Sequence, residues 1–497
     1  MSEILCPLIV AAREHGNQPA LIERGVTLTW SQTASAVNNL ANFLINSGVQ
    51  NGDRVAMVEN NRIELPILIL ALMRIGAVSV LLSPRYPEST LTMMAERTGC
   101  QYHAYWSKRT REARLPSLKL ICLPPLSELN GARESDRTTD YCTSIDTDQP
   151  VTIIFTSGSS ASPKAVLLSY GNHYYNALGS NANLPVVPGD RWLLSLPLYH
   201  VGGLGILFRC LLGSGTVVLL DALVTLADQI ARDRITHLSL VPTQLRRLLD
   251  DPHFSAARSS LKAILLGGSP IPAKLLSDAV ENRLPVYLTY GLTEMASQVA
   301  TGCSDHPRSP SVLPYRELRV TADGEIVVRG ETLFKGYVED DATVRPLDPD
   351  GWFHTGDLGS LNGDGHLAVL GRKDNMFISG GENIQPEQIE HALMSIEGIF
   401  DALVVPVDDI EYGHRPVAFI RYRSDINLSE PDSEMSESER LHFDYPSLSD
   451  ELSRTLPRFM LPVAYYPWPQ GYRQAGIKAD RTFLKQLAGK LHRSREK

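Results

Sequence analysis

The sequence predicts an α/β protein in which a large N-terminal domain of α/β subdomains, with a small β-barrel-like subdomain, precedes a smaller α+β C-terminal domain. Apolar runs typical of strands, such as RVAMVE and VTIIFTS, alternate with amphipathic stretches such as TLADQIARDR. Strand–helix alternation favours largely parallel sheets covered by helices. The later runs GEIVVRGE and GHLAVLGRKD follow turn residues and are typical of antiparallel β structure, which places the β-rich subdomain after the α/β core.

The longest apolar run, from Leu65 to Pro84, is nearly long enough to cross a membrane. Arg74 and Gly76 interrupt this run in its middle. We therefore predict a buried helix followed by a buried strand from Val78 to Leu82, and no integral membrane segment.

The strand and helix pattern restarts near residue 375, which divides the chain into an N-terminal domain (residues 1–373) and a C-terminal domain (residues 374–497). The C-terminal part, of about 120 residues, begins with a predicted helix from Pro386 to Ile396 and a strand from Asp401 to Pro406. Within it, the segment from Ser424 to Asp444 is acidic, rich in serine and poor in apolar residues. We expect an exposed, mobile loop there, more typical of a tolerated insertion than of a binding site.

Composition narrows the classes of partner. The 497 residues carry a formal net charge of −9, which argues against nucleic acid or an anionic membrane as the main ligand. The six cysteines form no CxxC pair and no cluster at metal-binding spacing. Together with the lack of a basic, signal-like N-terminal segment, this predicts a reducing, cytoplasmic location.

The strongest motif is FTSGSSASPKA, which follows the apolar strand VTIIF. Its small side chains let backbone N–H groups converge on an anion, its hydroxyls add donors, and its lysine adds a positive charge. The loop suits the β- and γ-phosphates of ATP although it lacks Walker A spacing; the alternative is a flexible Ser/Gly loop with a solvated lysine. The candidate phosphate-binding residues are Thr156, Ser157, Gly158, Ser159, Ser160 and Lys164.

Two further motifs add candidates for the nucleotide. In TYGLTEMAS, Tyr290 offers a flat face for a purine, while Thr293 and Glu294 offer a hydroxyl and a carboxylate near phosphate and Mg²⁺, with Gly291 between them. In GWFHTGDLG, Asp357 can accept hydrogen bonds from both ribose hydroxyls. Each motif alone is also compatible with an ordinary turn or helix cap.

The segment GRKDNMFISGGENIQPEQIE ends one β unit and opens the next domain. Arg372 can reach ribose or phosphate, and the pair Gly380 and Gly381 lets the backbone approach a ligand closely. The short sequence GIK near the C-terminus contains Lys478, which without its context would be an ordinary surface lysine.

Taken in this order and spacing, the motifs resemble the ANL superfamily of adenylate-forming enzymes, which includes acyl- and aryl-CoA synthetases. The resemblance spans essentially the whole chain, from PALIERGVTLTWSQ to the GIK segment. The phosphate loop departs from the usual TSG[ST]TGxPKG pattern, because Ala161 and Ala165 replace glycines and Ser160 replaces threonine, changes that can stiffen the loop.

Further segments are similar to the o-succinylbenzoate–CoA ligases of menaquinone synthesis. These segments are LLSLPLYHVGGLGILFRCLLGSGTVVL, HLSLVPTQLRRLL, LKAILLGGSPIP, FISGGENIQPEQIE, VVPVDDIEYGHRPVAF and AGIKADRTFLKQL.

The resemblance implies an ATP-dependent acid–CoA ligase that uses ATP, Mg²⁺ and coenzyme A in two half-reactions. It implies that Lys478 contacts the carboxylate and α-phosphate during adenylation, and that the C-terminal domain then rotates about Asp374. The rotation brings Gly380 to Asn383 to the tunnel for the thiol. Glu294 is implied to be catalytic and, with Thr156, to contact the metal.

The resemblance also locates the acyl pocket. His200 corresponds to an aromatic or histidine gate beside the pocket, the alternative being a histidine satisfied in the core. Gly267 and Gly268 let the backbone pass close to the aromatic ring and the adenine.

The candidate for substrate selection is Arg209. The segment HVGGLGILF before it is small and apolar, and in a helix Gly205 and Arg209 share a face. An arginine there can pair with the second carboxylate of o-succinylbenzoate, and the same position looks basic in the family. The alternative is that Arg209 turns outward and pairs with a surface acid.

Four functions remain open from the sequence. The first is an o-succinylbenzoate–CoA ligase, and the second is another aryl- or acyl-CoA synthetase. The third is a stand-alone adenylation enzyme that loads a carrier protein, and the fourth is a catalytically silent relative. The sequence leaves the choice between monomer and homodimer open.

Overall fold

The computed structural model describes residues 3–106, 115, 117–129, 144–156, 163–254, 258–269, 271–303, 306–340, 342–422, 445–469 and 481–495. The predicted loop from Ser424 to Asp444 lies outside the described residues.

Helices and strands alternate along most of the chain. The helices of the described ranges are α1 (Pro7–Glu14), α2 (Trp30–Asn46), α3 (Glu64–Arg74), α4 (Glu88–Arg97), α5 (Leu126–Leu129), α6 (Tyr170–Asn183), α7 (Val201–Gly213), α8 (Leu226–Asp233), α9 (Pro242–Leu249), α10 (Ala273–Glu281), α11 (Pro386–Met394), α12 (Tyr445–Leu452) and α13 (Arg481–Arg495).

The strands of the same ranges are β1 (Glu3–Leu5), β2 (Pro19–Glu23), β3 (Val26–Thr29), β4 (Arg54–Val58), β5 (Val78–Leu82), β6 (Tyr102–Tyr105), β7 (Lys119–Cys122), β8 (Ser144–Asp146), β9 (Pro150–Thr156), β10 (Lys164–Ser169), β11 (Arg191–Leu194), β12 (Thr216–Leu219), β13 (His237–Leu240), β14 (Ala263–Gly267), β15 (Val286–Leu292), β16 (Ser297–Thr301), β17 (Ser311–Val312), β18 (Arg316–Val320), β19 (Glu325–Gly330), β20 (Gly336–Glu339), β21 (Ala342–Val344), β22 (Phe353–Leu361), β23 (Leu367–Arg372), β24 (Phe377–Ser379), β25 (Glu382–Ile384), β26 (Ile399–Asp409), β27 (Gly413–Tyr422) and β28 (Ala464–Pro467).

Two large sheets form the α/β part of the fold. Within the described ranges, one has the order β21-β20-β10-β9-β5-β4-β6-β7 and the other β17-β16-β15-β14-β13-β11-β12-β2-β3. Their central strands are parallel, as the alternation of strands and helices predicts. The carboxyl ends of β14 and β15 and the antiparallel pair β9–β10 carry the nucleotide motifs.

The long apolar run forms a buried helix and a buried strand, so this prediction is confirmed. Every residue from Leu65 to Met73 of α3 is buried, as are all five residues of β5. Among the described residues, no helix is long and apolar enough to cross a membrane.

The β-rich unit is an antiparallel sheet with the order β18-β19-β22-β23. The two runs predicted to be antiparallel supply its strands β19 and β23. In the β22–β23 pair, Asp357 lies directly opposite Arg372. The register therefore brings two of the predicted nucleotide residues together.

The C-terminal part has hydrophobic clusters of its own. Helix α11 begins at the predicted Pro386 and ends two residues before the predicted end. It packs beside the antiparallel pair β26–β27, and β28 extends that sheet in parallel. The buried residues of these clusters all lie between Phe377 and Ala488, while the boundary at residues 373 and 374 stays a prediction.

Candidate nucleotide and acyl site

Three residues from distant motifs meet at the edge of the β-rich sheet. The Tyr290 hydroxyl donates to Asp357 Oδ2 at 2.6 Å, and Arg372 Nη1 donates to Asp357 Oδ1 at 2.9 Å. Burial, reinforced by the Asp357 charge, raises the pKa of Tyr290 well above its ordinary value. The phenol therefore stays protonated, and the cluster is a fixed set of polar groups of the kind that a ribose requires.

Arg372 links this cluster to the predicted hinge. Its Nη1 also donates to the Thr355 carbonyl at 2.7 Å, and its Nη2 donates to Asp374 Oδ2 at 2.9 Å. Burial opposes the charge on the guanidinium, but the neighbouring carboxylates outweigh it and raise the pKa of Arg372. Gly356 makes room for this arrangement, because its φ is +71° and a Cβ there would lie 2.9 Å from Arg372 Nη2.

The phosphate motif is held at both ends by the β9–β10 pair. Thr156, the last residue of β9, lies opposite Lys164, the first residue of β10. The connection between them, including the predicted phosphate ligands Ser157, Gly158, Ser159 and Ser160 and the replaced position Ala161, lies outside the described residues. The pairing fixes both flanks of the loop at one point of the sheet.

The carboxylate of Glu294 lies in a 3-10 turn, Thr293–Met295, between β15 and β16. The Tyr337 hydroxyl donates to its Oε1 at 2.7 Å, and the ring of the same tyrosine lies 4.9 Å from Lys164 Nζ. Gly291 precedes this turn at a bulge in the β15–β16 pair. A side chain at Gly291 would overlap the backbone of Ser297, so the close approach of these two strands requires glycine.

The donor set around Glu294 fits a magnesium ion that is bound together with a polyphosphate. Glu294 Oε2 accepts no hydrogen bond from a described residue. Thr156, the other residue predicted to contact the metal, ends β9 opposite Lys164. No group of three or more His, Cys, Asp or Glu side chains that could hold a metal is found among the described residues. Mg²⁺ commonly uses one or two carboxylates plus substrate phosphates.

On the predicted acyl side, the main feature is the buried guanidinium of Arg209. Helix α7 places it 2% exposed, 5.3 Å from the Trp192 ring, with Nη2 at 3.3 Å from Ser297 Oγ. No carboxylate of a described residue lies within 4 Å of it, and its Nε has no hydrogen-bond partner among them. Burial lowers the pKa of Arg209 to about 10, so it remains charged at neutral pH. The surface ion pair considered from the sequence is not formed.

Gly205 leaves the space that Arg209 uses. A Cβ at Gly205 would lie 2.8 Å from Arg209 Nη2 and 3.3 Å from Ser297 Oγ. The helix already includes the glycines, since it begins at Val201. The expected shared face of Gly205 and Arg209 is confirmed.

A second buried arginine, Arg316, lies near the first. It is 5% exposed and donates to the backbone carbonyls of Pro314, at 2.9 Å, and Gln298. Burial, with a contribution from the Arg209 charge, lowers the pKa of Arg316 to about 9. Two buried cations without a carboxylate of the described chain within 4 Å give the acyl side a positive potential.

His200 and the predicted glycines lie at the ends of secondary-structure elements. His200 is the extended residue before α7, half-buried, and burial, then the Arg85 charge, lowers its pKa to about 4. It is therefore neutral at pH 7 and not a fully buried core residue. Gly267 ends β14, and Gly268 follows with a φ of +84°.

Gly380 and Gly381 form the turn between β24 and β25, with φ values of +57° and +89°. Both are exposed, and the Gly380 N–H donates to the Tyr412 carbonyl at 2.9 Å. Lys478, the predicted catalytic lysine, lies outside the described residues.

Sequence reasoning did not identify Trp192, Ser297, Arg316 and Tyr337 as parts of the site. Ser297 ends the TYGLTEMAS motif but was not assigned a role, and the other three residues lie outside the quoted nucleotide motifs. Tyr337 becomes visible only through the pairing of β10 with β20, in which it lies opposite Val166.

The chain is similar to known proteins over nearly its full length. Residues 8–338 match the family of AMP-binding enzymes. The 2-succinylbenzoate–CoA ligase of Salmonella typhimurium is 34% identical over 475 residues, which cover 94% of this chain and 94% of that protein.

Two solved structures have the same architecture. The o-succinylbenzoate CoA synthetase of Bacillus subtilis in complex with the acyl-adenylate intermediate OSB-AMP is 28% identical, with a TM-score of 0.84, over 98% of this chain and 99% of that chain. The Bacillus subtilis enzyme in complex with ATP and a magnesium ion gives a TM-score of 0.81 at 28% identity, over 97% and 100% of the two chains. The mixed α/β fold with a large N-terminal and a smaller C-terminal domain is therefore confirmed.

Proposed function

Because the chain belongs to the family of AMP-binding enzymes, we propose that it is an ATP-dependent o-succinylbenzoate–CoA ligase of menaquinone synthesis. It joins o-succinylbenzoate to coenzyme A and releases AMP and pyrophosphate. The observation that carries the choice of acid is the buried Arg209 guanidinium, which lies 2% exposed with no described carboxylate within 4 Å. The curated relative named above has this activity in its name.

Arg209 selects the acid by its charge. o-Succinylbenzoate carries two carboxylates, of which one is activated and the other enters an apolar pocket. A buried carboxylate without a partner is unfavourable by several kcal/mol, and so is a buried guanidinium without one. The second carboxylate and Arg209 satisfy each other, and the nearby charge of Arg316 adds to the attraction.

The nucleotide side prepares the first half-reaction. Tyr290, Asp357 and Arg372 hold the ribose end of ATP in a pre-formed hydrogen-bonded set. Lys164 and the flanks of the phosphate loop hold the polyphosphate, and Glu294 with Thr156 would hold Mg²⁺. When bound, Mg²⁺ neutralises charge on the phosphates.

In this step, a carboxylate oxygen of the acid attacks the α-phosphorus, and the bond to the bridging oxygen breaks. Pyrophosphate leaves with the electron pair. Lys478 neutralises charge on the two approaching anions.

The second half-reaction uses the C-terminal domain. Rotation about Asp374 withdraws Lys478 and brings the turn at Gly380 and Gly381 to the thiol tunnel, where the CoA sulfur attacks the acyl carbon and AMP leaves. Arg372 ties Asp374 to Asp357 in the described orientation, so this contact is one that rotation has to break or reshape. His200, neutral at pH 7, and the backbone at Gly267 and Gly268 line the acyl and adenine sides.

We also propose a cytoplasmic enzyme that acts on small molecules alone. The five described cysteines, Cys6, Cys100, Cys122, Cys210 and Cys303, carry free thiols, as expected in a reducing compartment. Sedimentation at several concentrations would decide between a monomer and a homodimer.

The test is a panel of carboxylic acids assayed with ATP, Mg²⁺ and CoA for AMP and thioester formation. o-Succinylbenzoate should give the highest kcat/KM, ahead of benzoate and fatty acids. A preference for a monocarboxylate would favour another aryl- or acyl-CoA synthetase. Adenylate formation without CoA-dependent thioester would favour an enzyme that loads a carrier protein.

A further inference from the structure

We propose that Tyr337 is a positioning residue of the nucleotide site, which fixes the metal-binding carboxylate of Glu294 and the phosphate-binding lysine Lys164 at the same time. The inference rests on the proposed function of these two residues and adds a third residue that no motif identifies. It also predicts that the Tyr337 hydroxyl lowers the Mg²⁺ concentration at which ATP binding is half-saturated.

The hydroxyl of Tyr337 fixes one oxygen of Glu294. It donates to Oε1 at 2.7 Å, a short distance typical of a hydrogen bond to a carboxylate. The carboxylate plane is thereby oriented, and Oε2 is left without a hydrogen bond from the described residues.

The ring of Tyr337 fixes the lysine. Lys164 Nζ lies 4.9 Å from the ring centroid, within the range of a cation–π contact. The antiparallel pairing of β20 with β10 allows this contact, because Tyr337 lies opposite Val166. Lys164 is two residues from Val166 on the same strand, so its side chain shares a face of the sheet with Tyr337 and is its diagonal neighbour. The phenol therefore contacts an anion through its hydroxyl and a cation through its face.

The backbone around Tyr337 holds Glu294 as well. The Phe334 N–H donates to the Glu294 carbonyl at 2.8 Å, and the rings of Phe334 and Tyr337 pack edge to face at 4.9 Å. Tyr337 is itself only 8% exposed. The segment from residue 334 to residue 337 therefore contacts Glu294 through both its backbone and its side chains. Residues that orient a metal ligand in this way increase the affinity of a metal site.

The alternative is that Tyr337 merely fills the core. Tyr337→Phe separates the two ideas, because it keeps the ring, the packing and the contact with Lys164 and removes only the hydroxyl. Tyr102→Phe is the matched control: Tyr102 is 9% exposed and donates a hydrogen bond of the same 2.7 Å length, to the Gly48 carbonyl, outside the site.

The measurement is the rise in melting temperature caused by ATP, recorded while Mg²⁺ is titrated. Tyr337→Phe should raise the half-saturating Mg²⁺ concentration about 10-fold, the lower end of the effect of removing a residue that orients a metal ligand. Tyr102→Phe should leave it unchanged. Tyr337→Leu should in addition weaken ATP binding at saturating Mg²⁺ by about 2- to 5-fold, because Lys164 loses its aromatic partner.

Activity gives a second readout. Tyr337→Phe should slow ATP-dependent pyrophosphate release at low Mg²⁺ and spare thioester formation from a pre-made acyl-adenylate. A magnesium dependence identical to that of the wild type, or an equal loss in both half-reactions, would overturn the proposal. If Tyr337→Leu does not fold, Tyr337→Phe alone decides. The ATP-binding readout needs no acid, so a failure of the o-succinylbenzoate assignment is seen separately.

Discussion

On the predicted nucleotide side, the carboxylates of Asp357 and Glu294 are hydrogen-bonded within the protein, whereas on the predicted acyl side the guanidinium of Arg209 has no carboxylate partner among the described residues. Asp357 accepts from Tyr290 and Arg372, and Glu294 accepts from Tyr337. Arg209, by contrast, is buried beside Trp192, Ser297 and a second cation, Arg316, without a carboxylate of the described chain within 4 Å.

We propose that this contrast reflects the different ligands of the two sides. A nucleotide is the same in every turnover and is recognised by hydrogen-bonding groups that are already oriented, which lowers the cost of binding. The acid is selected among many carboxylates, and an unpaired buried cation discriminates strongly because it stays unsatisfied with the wrong ligand.

The largest losses of activity and stability are expected from a substitution at Asp357, which is hydrogen-bonded to Tyr290 and Arg372. Asp357→Asn should lower kcat/KM for ATP by a factor equivalent to about 2–4 kcal/mol. The ribose loses a charged acceptor, and Arg372 loses the carboxylate that neutralises it. The free energy of unfolding should fall by about 1–3 kcal/mol. Glu317→Gln, which disrupts an exposed ion pair with Arg329, should change stability by less than about 1 kcal/mol. Steady-state kinetics and urea unfolding of both variants measure the difference.

A gain in stability is expected when the unpaired charge of Arg209 is removed. Arg209→Met should raise the free energy of unfolding of the ligand-free protein by about 1 kcal/mol or more, because it removes a desolvated charge that has no anionic partner. Arg316→Met should lower it, because the backbone carbonyls that Arg316 satisfies would be orphaned. A destabilised Arg209→Met variant would mean that the contacts with Trp192 and Ser297 outweigh the cost of burying the charge.

A smaller, pH-dependent change in stability tests whether a desolvated charge in another part of the chain, that of Asp401, also destabilises the folded protein. Burial, then the charge of Glu390, raises the pKa of Asp401 to about 6, although Arg421 opposes the shift. The native state thus binds this proton more tightly than the unfolded state, so the stabilisation is present at low pH and is lost as the pH rises through about 6.

Asp401→Asn should therefore be more stable than the wild type at pH 7 by about 1 kcal/mol, a value discounted for partial exposure. The difference should shrink as the pH falls below about 6 and should be small at pH 4, close to the ordinary pKa of an aspartate. Asp408→Asn, an exposed position on the same strand, is the control. Urea midpoints recorded between pH 4 and pH 7.5 measure both, and a constant difference across that range would contradict the assignment to Asp401.

Local patterns predicted the elements well. The continuous apolar run of Val78 to Leu82 is a central strand because both of its faces are covered, and Pro386 starts a helix where its missing N–H is harmless. The predicted end at Ile396 was two residues too long, because helix ends depend on tertiary packing as much as on sequence.

Pairings between distant segments could not be predicted in this way. The motifs indicated that Asp357 and Arg372 belong to one site, but only the β22–β23 register shows that they lie opposite each other. Arg316 and Tyr337 carry no local signal, because their roles arise from partners on other elements. Arg316 donates to the carbonyls of Gln298 and Asn176, which lie 18 and 140 residues away in the chain, and Tyr337 donates to Glu294, which lies 43 residues away. Burial of Arg209 without an acid likewise depends on the packing of α7 against several elements.

The most direct test of the central claim is a cycle of two enzymes and two acids. Wild type and Arg209→Ala are assayed with o-succinylbenzoate and with an analogue that lacks the second carboxylate. The substitution should cost o-succinylbenzoate about 2–5 kcal/mol in kcat/KM, the range for breaking a buried charge pair, and should cost the analogue little. An equal loss with both acids, or a wild type that prefers the analogue, would contradict the role of Arg209 and with it the assignment of o-succinylbenzoate as the substrate.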